Sequence, residues 1–389
     1  MKTDIAIIGG GASGIFAAII AARSGGKVTI FEKNPRVGKK ILSTGNGRCN
    51  FTNINAGTHN YNSDFASFAL NKFPPKKAIA FFEELGLLSK VESEGRVYPM
   101  SGQASAVLDV LRLELDRLGV NILTETCVSQ IQKNGDGFIV VTDSGEKHFA
   151  KKVIAASGGM AAPKSGSDGS GYAILKMLGH TVTPLVPSLV QIKTSKGIQG
   201  VRAYGRVTLE DGKTDIGEIQ FNNYGLSGIP VFSLAKHAKK GRSIFVDLLP
   251  DYSEQDVLAF LKKRPTQTME TYLVGVLNKS LGQMLLKECG ILPLSRMSDT
   301  LTENEIKKIA SKIKHWRFEI TGVMPWENAQ VTSGGVSLDE VSCETMESKI
   351  VKGLYIIGEL LDIDGDCGGF NLQWAWSSGF AAGSEAVNV

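Results

Sequence analysis

The N-terminal segment alternates apolar runs with a glycine turn, a pattern that predicts a strand, a helix and a second strand. The run IAII (residues 5–8) is apolar at every position, which is typical of a parallel strand buried on both faces. An alanine-rich helix is predicted from Ala12 to Ser24, because Gly25 and Gly26 end it. The next run, KVTIFEK, is rich in β-branched residues and predicts a second strand. The segment is therefore a βαβ unit that begins at residue 4.

The spacing of apolar positions changes repeatedly along the rest of the chain. It is helical from Tyr61 to Gly119, and from Val120 to Ala156 its period becomes two, with the hairpin signals KNGDG and SGE between predicted strands. Near Pro184 and Pro187 the pattern changes to short alternating strands. Helical spacing returns from Tyr252 to Trp316.

The last helix of that region has a clear start signal, the capping box of Thr302 and Glu305. We predict that it carries one apolar face formed by Ile306, Ile309, Ile313 and Trp316. The segment GLYIIGELLD then predicts a buried strand, and GGFNLQWAWSSG predicts a glycine turn into a helix of small residues. The simplest organisation is a first domain made of residues 1–187 and 335–389, interrupted by an insert, 188–334. The insert is β-rich over 188–250 and helical over 251–318.

The first motif that carries chemistry is the glycine pattern Gly9-x-Gly11-x-x-Gly14. It lies on the predicted strand-to-helix turn, and the following strand ends in Glu32. Such glycines let a backbone approach a pyrophosphate at a helix N-terminus, and the acidic residue can hydrogen-bond the adenosine ribose. Because an acidic residue disfavours a 2′-phosphate, the motif favours FAD or NAD over NADP.

The sequence beyond Glu32 favours FAD over NAD. A simple NAD dehydrogenase would continue with alternating strands and helices, whereas this chain enters a glycine- and asparagine-rich loop, STGNGRCNFTN, followed by helices and a β-meander. Near the C-terminus a buried strand ends in Gly358-Glu359, and the segment 368–371 opens a helix whose N-terminus can meet the side of a flavin that becomes anionic on reduction. We find no second GxGxxG with an acidic residue after it, so a dedicated NAD(P)H domain is not predicted.

Composition and charge exclude several other classes of protein. Five cysteines are scattered without a CxxC pair and the histidines occur singly, so we predict neither a disulfide framework nor a metal site. No apolar run is long enough to span a membrane, and we expect a cytoplasmic protein. The net charge of +4 is too small to indicate that the protein binds nucleic acid, so we expect nucleic acid to be an unlikely partner. The insert nevertheless carries 20 Lys and Arg against 15 Asp and Glu, as a solvated face or a site for an acidic partner would.

Several motifs together resemble the BaiN/YhiN-like family of NAD(P)/FAD-dependent oxidoreductases. They are GGGASG, GKKILSTGNGRCNFTN, GRVYPMSGQASAVLDVL, ASGG, TSGGV, TMESK and GLYIIGELLDIDGDCGGFNLQWAWSSG, which span nearly the whole chain. The resemblance implies a Rossmann-like, glutathione-reductase-type FAD-binding domain, with an insert made of a β-barrel part and a helical part. It also implies that flavin transfers a hydride from NAD(P)H to the activated carbon-carbon double bond of a small-molecule substrate, such as a steroid-like enone.

The same resemblance assigns residues along the cofactor. It places Ala12 and Ser13 at the pyrophosphate, Glu32 and Lys33 at the ribose and adenine edge, and the Val128 backbone at adenine. The positions that it places along the rest of the cofactor are Lys39, Gly47, Asn50, Gly358, Glu359, Gly369, Phe370 and Asn371. Arg48, Cys49 and Gly158 lie in the same motifs and are further candidates for contact with the cofactor. Glu359 departs from the Asp found in many two-domain flavoproteins, which puts its hydrogen bond to the ribityl chain in question.

Some roles stay open at the level of sequence. Cys49 is either a redox or nucleophilic thiol, with Arg48 to lower its pKa and Cys367 as a conceivable partner, or a packed filler beside the flavin. Tyr98 and Ser101, with Arg96, are candidate proton donors or substrate contacts, because hydride addition to an enone requires a proton at the neighbouring carbon. Their segment could equally serve only to pack over the flavin. Two other functions remain: an oxidase or monooxygenase, and a flavin-containing binding protein with a basic insert. The sequence does not indicate the oligomeric state.

Overall fold

The computed structural model describes residues 2–198 and 200–387, which form two compact units. One unit consists of residues 1–187 and 330–389, and the other consists of residues 188–329. The first unit is thus interrupted in sequence by the second.

The chain runs through most of the first unit, then through the second unit, and finally returns to the first unit. The strands up to residue 188 are β1 (Lys2–Ile8), β2 (Val28–Phe31), β3 (Thr52–Asn53), β4 (Ser89–Val91), β5 (Arg96–Pro99), β6 (Asn121–Leu123), β7 (Val128–Asn134), β8 (Gly137–Thr142), β9 (Lys147–Ala155) and β10 (Val186–Ser188). The helices of this stretch are α1 (Ala12–Arg23), α2 (Ala66–Lys72), α3 (Pro75–Glu84), α4 (Ala104–Arg117) and α5 (Ser170–Met177).

The second unit and the returning segment complete the chain. The strands of the second unit are β11 (Ile192–Thr194), β12 (Val201–Leu209), β13 (Thr214–Asn222), β14 (Gly225–Ser227), β15 (Ser243–Asp247) and β16 (Trp316–Val323). Its helices are α6 (Ile229–Leu234), α7 (Glu254–Lys262), α8 (Lys279–Glu288) and α9 (Glu303–Lys314). The returning segment contains β17 (Val331–Ser333), β18 (Leu354–Ile356) and α10 (Phe370–Glu385).

A seven-stranded sheet lies at the centre of the first unit. Its order is β6-β2-β1-β9-β8-β7, and β18 also pairs with β9. The strands β6, β2, β1, β9 and β18 are parallel to one another, whereas β7, β8 and β9 form an antiparallel meander. This arrangement confirms the predicted α/β fold with a Rossmann-like sheet and a β-meander.

Helix α1 is buried along most of its length because it packs closely against α10. Every residue from Ser13 to Ala21 is buried. A Cβ atom added at Gly379 would lie 2.8 Å from the Ser13 carbonyl oxygen, and one at Gly383 would lie 2.6 Å from the Ala17 carbonyl oxygen. The small residues of α10 are therefore required for the two helix backbones to approach each other.

The second unit contains a closed barrel with the strand order β11-β14-β13-β12-β15-β16. Its interior holds the aromatic rings of Phe221, Trp316 and Phe318, whose centroids lie 5.3–6.1 Å apart. The barrel confirms the fold expected for the insert.

The predicted end of the helical part is wrong. Helix α9 begins with the predicted capping box of Thr302 and Glu305, but it ends at Lys314, and Trp316 is the first residue of strand β16. Trp316, Phe318 and Ile320 are all buried, which is the period-two pattern of a strand. The spacing from Ile313 to Trp316 also fits a helix, and this coincidence extended the predicted helix into the strand.

The first unit resumes at Gln330 rather than at residue 335. The reason lies in Thr332, whose Oγ1 accepts hydrogen bonds from the backbone N–H groups of Met160 (2.8 Å) and Ala161 (3.1 Å). None of the helices in residues 2–198 and 200–387 is long and apolar enough to cross a membrane.

Candidate cofactor and active site

The glycine turn between β1 and α1 has two tightly packed positions and one open position. Gly9 has a φ of 106°, and a Cβ atom there would lie 2.6 Å from the Ala156 carbonyl oxygen. A Cβ atom at Gly14 would lie only 2.0 Å from the Gly9 carbonyl oxygen. A Cβ atom at Gly11, by contrast, would meet nothing within 4 Å. Gly9 and Gly14 thus close the turn, whereas Gly11 faces open space at the start of α1.

Glu32 fixes the glycine turn from the end of the neighbouring strand. Its Oε2 accepts a hydrogen bond from the Gly10 N–H (2.8 Å), and its Oε1 accepts from the Asn34 N–H (2.8 Å) and side-chain amide (2.6 Å). A carboxylate has about four lone-pair positions, so it can still accept a ribose hydroxyl. The backbone N–H of Thr126 donates to the Glu32 carbonyl oxygen (2.9 Å), and this bond places the segment that leads to Val128 beside Glu32.

Lys33 lies on the same side of the turn and pairs with Asp168. The distance from Lys33 Nζ to Asp168 Oδ1 is 2.7 Å. Partial burial opposes the charge of Asp168, but hydrogen bonds from Lys33 and Ser170 hold the pKa of this carboxyl below its usual value. Neither Asn34 nor Asp168 was indicated by the sequence, and Asp168 could not have been, because only the fold brings it close to Lys33.

Asn50 and Gly369 meet where the polar loop and helix α10 come together. Gly369 has a φ of 99°, and a Cβ atom there would lie 2.5 Å from the Thr52 carbonyl oxygen and 2.9 Å from Asn50 Oδ1. The same Oδ1 accepts a hydrogen bond from the Val97 N–H (3.1 Å). Phe370 begins α10 and is buried.

The turn around Gly358 brings the C-terminal motif against the first helix. Gly358 has a φ of 64°, and a Cβ atom there would lie 2.5 Å from Ser13 Oγ. Its carbonyl oxygen accepts a hydrogen bond from Trp374 Nε1 (3.0 Å). Gly158 occupies a similar turn, with a φ of 76° and only 2.4 Å between an added Cβ atom and Ser167 Oγ.

The side chains of Glu359 and Asn371 are already engaged within the protein. Glu359 accepts hydrogen bonds from the Thr332 N–H (2.8 Å) and from Lys40 Nζ (2.7 Å). Asn371 binds both the N–H and the carbonyl oxygen of Gly365, each at 2.9 Å. The sequence suggested Lys39 at this site, but Lys39 is exposed and it is Lys40 that reaches the Gly358-Glu359 turn.

These features fit a dinucleotide cofactor. Helices α1 and α10 both begin at a glycine without a side-chain cap, so their first N–H groups are available to an anionic ligand. An open position at Gly11 and an acidic residue at the end of β2 complete the features that a dinucleotide site requires.

Comparison with known proteins identifies the family. The model of the HI0933-like protein Rossmann domain matches residues 3–385. The chain belongs to this family. Its members are FAD-dependent oxidoreductases, and this chain is one of them.

Two relatives and one solved structure illustrate the similarity. The chain is 42% identical to the 3-dehydro-bile acid delta(4,6)-reductase of Clostridium scindens, over 98% of each chain. It is 32% identical to the ribosomal RNA dihydrouridine synthase of Haemophilus influenzae, over 96% of each chain. The 3-ketosteroid-Δ4-(5α)-dehydrogenase of Rhodococcus jostii RHA1 has a similar fold, with a TM-score of 0.50, 14% identity, and coverage of 100% of this chain and 97% of that one.

In this HI0933-like protein, Arg48 anchors the polar loop. Its Nη2 lies 2.5 Å from Glu92 Oε1, and Lys90 Nζ lies 3.0 Å from the same oxygen. The hydrogen bond from Arg48, followed by that from Lys90, holds the pKa of Glu92 below its usual value. The guanidinium carbon of Arg48 also lies 4.1 Å from the centre of the Tyr98 ring. The Arg48 guanidinium therefore contacts Glu92 and the Tyr98 ring, and these contacts occupy groups that a phosphate would need.

The two predicted proton donors have different environments. Tyr98 is largely buried, and burial raises the pKa of its hydroxyl above the ordinary value, with opposing effects from Arg96 and Arg48. The phenol therefore keeps its proton at neutral pH. Ser101 is exposed, and its Oγ accepts only a long hydrogen bond from the Gln103 N–H (3.4 Å).

Cys49 is fully buried, although Gly45, Asn46 and Gly47 of the same loop are exposed. Burial raises the pKa of its thiol to about 12, and a hydrogen bond with Thr44 only partly opposes this effect. A thiol of this kind carries almost no thiolate at neutral pH, and the thiolate is the reactive form. Its environment thus favours a packed filler over a redox group.

We predict that Cys49→Ser leaves the reductase turnover within about twofold of the wild type. Serine conserves the size of the side chain and can keep the contact with Thr44, so we expect a stability loss of only about 1 kcal/mol. Steady-state turnover and thermal unfolding of the FAD-loaded protein test this. A turnover loss of tenfold or more with normal flavin content would show that the thiol takes part in the reaction.

Proposed function

We propose that this protein uses NAD(P)H and FAD to reduce a carbon-carbon double bond conjugated to a carbonyl group. The observation that carries the proposal is the 42% identity, over 98% of the chain, to a reductase of bile acid double bonds. The name of the second relative describes the reduction of uridine to dihydrouridine. A 3-oxo-Δ4,6 steroid and a uracil ring share the same reactive unit, a double bond next to a carbonyl group.

The cofactor would be held by the glycine turn, the end of β2, the polar loop and the start of α10. The residues that we propose for this role are Gly9, Gly11, Ala12, Ser13, Gly14, Glu32, Lys33, Gly47, Asn50, Val128, Gly158, Gly358, Gly369, Phe370 and the backbone of Asn371. We assign Arg48, Cys49 and Glu359 to support of this site, since their side chains are already paired or buried within the protein.

FAD that NAD(P)H has reduced would supply the hydride in this reaction, and the protein must supply a proton. We assign that proton to Tyr98. A buried phenol with a raised pKa is protonated at neutral pH, and the Arg48 guanidinium above its ring stabilises the negative charge that develops when the proton leaves. Ser101 is the weaker candidate because its side chain is exposed.

The first test is anaerobic flavin spectroscopy. We expect the protein to be purified yellow, to lose its flavin absorption with NADH or NADPH, and to regain it on addition of a steroid-like enone. Colourless protein that takes up no FAD would contradict the proposal. Rapid reoxidation by oxygen with formation of peroxide, and none by the enone, would favour an oxidase or monooxygenase instead.

A second candidate substrate is a uridine in ribosomal RNA. Two observations favour it: the identity to the Haemophilus influenzae enzyme, and the surplus of basic residues in the insert. The sequence-based expectation that nucleic acid is an unlikely partner rested on net charge alone. Because this relative acts on ribosomal RNA, we include RNA among the candidate substrates. Mass spectrometry of ribosomal RNA from a deletion strain would decide. Loss of one dihydrouridine, restored by the gene, would identify RNA as the substrate.

A further inference from the structure

Three helices of the second unit surround an open groove of about 430 Å³. Helix α9 supplies most of the lining. Glu254 is the first residue of α7, and Cys289 directly follows the last residue of α8. The lining residues are Glu254, Cys289, Lys307, Lys308, Ser311, Lys312 and His315. Ligand pockets in proteins typically measure about 300–1,000 Å³, so the groove has room for a small ligand or for part of a larger one.

The charge of this groove is positive and incompletely neutralised. The side chains of Lys307 and Lys308 are exposed, and neither ammonium group makes a hydrogen bond or an ion pair within residues 2–198 and 200–387. The carboxylate one turn before Lys307, that of Glu303, is instead paired with Lys262 at 2.5 Å.

Lys312 shares its carboxylate partner, Glu288, with two other donors. Its Nζ lies 3.2 Å from Glu288 Oε2, and the same oxygen accepts hydrogen bonds from Trp316 Nε1 (2.9 Å) and from Lys196. Because Glu288 has two other donors, Lys312 can turn to a ligand without leaving this carboxylate unpaired. The one carboxylate of the lining, Glu254, lies 3.7 Å from His315.

One lining residue of the groove, Ser311, supplies a hydroxyl suited to an oxyanion, and another, Cys289, is a packed part of its floor. Cys289 is buried and its Sγ donates a weak hydrogen bond to the Lys308 carbonyl oxygen (3.8 Å), which packs the floor against α9. Ser311 is half-buried between Lys307 and Lys312 along the helix and offers a hydroxyl donor. Ammonium groups with a hydroxyl donor between them bind phosphate through charge-assisted hydrogen bonds.

A second basic cluster of the same unit lacks these features. Lys239, Lys240 and Arg242 lie on an exposed turn before β15, and Arg242 is paired with Glu210 at 3.3 Å. None of them lines the groove. The cluster therefore offers a control that changes the charge equally but leaves the groove intact.

We propose that the groove formed by Lys307, Lys308, Ser311 and Lys312 is a binding site for a phosphate group. The phosphate belongs either to a polynucleotide backbone or to a small phosphorylated molecule. This inference concerns a site of the second unit and does not depend on which double bond the enzyme reduces.

The test compares two double variants that each remove two lysines. For K307A/K308A we expect at least a tenfold loss of affinity for a fluorescein-labelled single-stranded RNA, or for pyrophosphate, whereas K239A/K240A stays within about twofold of wild type. If RNA is the ligand, the slope of log affinity against log salt should fall by about 0.7 for each lost contact. Alanine favours helices, so α9 should persist, and melting curves and flavin absorption verify this.

A third variant tests the same site by a gain of binding. E254Q removes the one carboxylate of the lining, and we expect it to tighten binding of the same probe by about two- to threefold. Loss with RNA alone would assign the site to a polynucleotide, and loss with pyrophosphate alone would assign it to a small phosphorylated molecule. Equal effects of K307A/K308A and K239A/K240A, or no binding of either probe by the wild type, would overturn the proposal. Enone turnover should not change in any variant, so a failure here is distinct from a failure of the proposed reductase.

Discussion

Replacing Gly11 by alanine is expected to abolish FAD binding at micromolar concentrations and to leave the fold intact. Gly11 has a φ of −80°, which alanine adopts without strain, and its added methyl group would meet no protein atom within 4 Å. The methyl group would instead occupy the open space at the uncapped start of α1, where a pyrophosphate needs close contact with the backbone. We expect the dissociation constant for FAD to rise at least 100-fold, which corresponds to about 2.7 kcal/mol.

Gly14→Ala provides the matched comparison. Its methyl group would lie 2.0 Å from the Gly9 carbonyl oxygen, so the strand-to-helix turn must move. We expect this variant to lose several kcal/mol of unfolding free energy and to lose FAD as well, because overpacking at such a contact is costly. Thermal unfolding of the FAD-free proteins separates the two cases. A Gly11→Ala protein with wild-type FAD affinity would show that the cofactor does not pass this residue.

The parts of the fold that the sequence predicted are those that depend on local chemistry. The first βαβ unit depends on the apolar run before Gly9, the glycine turn and the position of Glu32, all within a short segment of chain. The start of α9 at Thr302 was predicted for the same reason, since a capping box joins residues three apart. Local signals of this kind need no knowledge of the tertiary structure.

The parts that sequence reasoning missed depend on contacts between distant segments. Lys40 rather than Lys39 reaches Glu359, and no spacing rule distinguishes two adjacent lysines in an irregular loop. Thr332 belongs to the first unit because its hydroxyl accepts hydrogen bonds from Met160 and Ala161, which lie far away in the sequence. For Arg48 the sequence left a phosphate contact and a loop-anchoring contact open, and the fold favours the second because it places Glu92 and the Tyr98 ring beside the guanidinium.

The strand that closes the barrel shows how two periodicities can overlap. Ile309, Ile313 and Trp316 have helical spacing, whereas Trp316, Phe318 and Ile320 alternate as in a strand. Trp316 fits both patterns, and pairing with β15 places it in the strand. That pairing joins segments about seventy residues apart, so the tertiary structure overrides the local signal.

Tyr98→Phe is expected to slow the reduction of substrate by about 100-fold and to leave flavin reduction by NAD(P)H unchanged. The reason is that only the reduction of substrate needs a proton donor. Phenylalanine keeps the ring under the Arg48 guanidinium, so the loop and its ion pair with Glu92 should persist. Stopped-flow absorption of the flavin measures the two half-reactions separately. Unchanged melting temperature and FAD content would establish that the fold is conserved.

The pH dependence and a control variant complete this argument. Burial raises the pKa of Tyr98, so the wild-type rate of substrate reduction should be constant through neutral pH and should fall only at a pH above the ordinary titration range of a tyrosine. The Tyr98→Phe enzyme should lack that fall. Ser101→Ala removes the exposed hydroxyl that was the other candidate, and we expect its rate to stay within about twofold of wild type. If Ser101→Ala slows substrate reduction and Tyr98→Phe does not, the proton comes from the turn before α4 rather than from the phenol beneath Arg48.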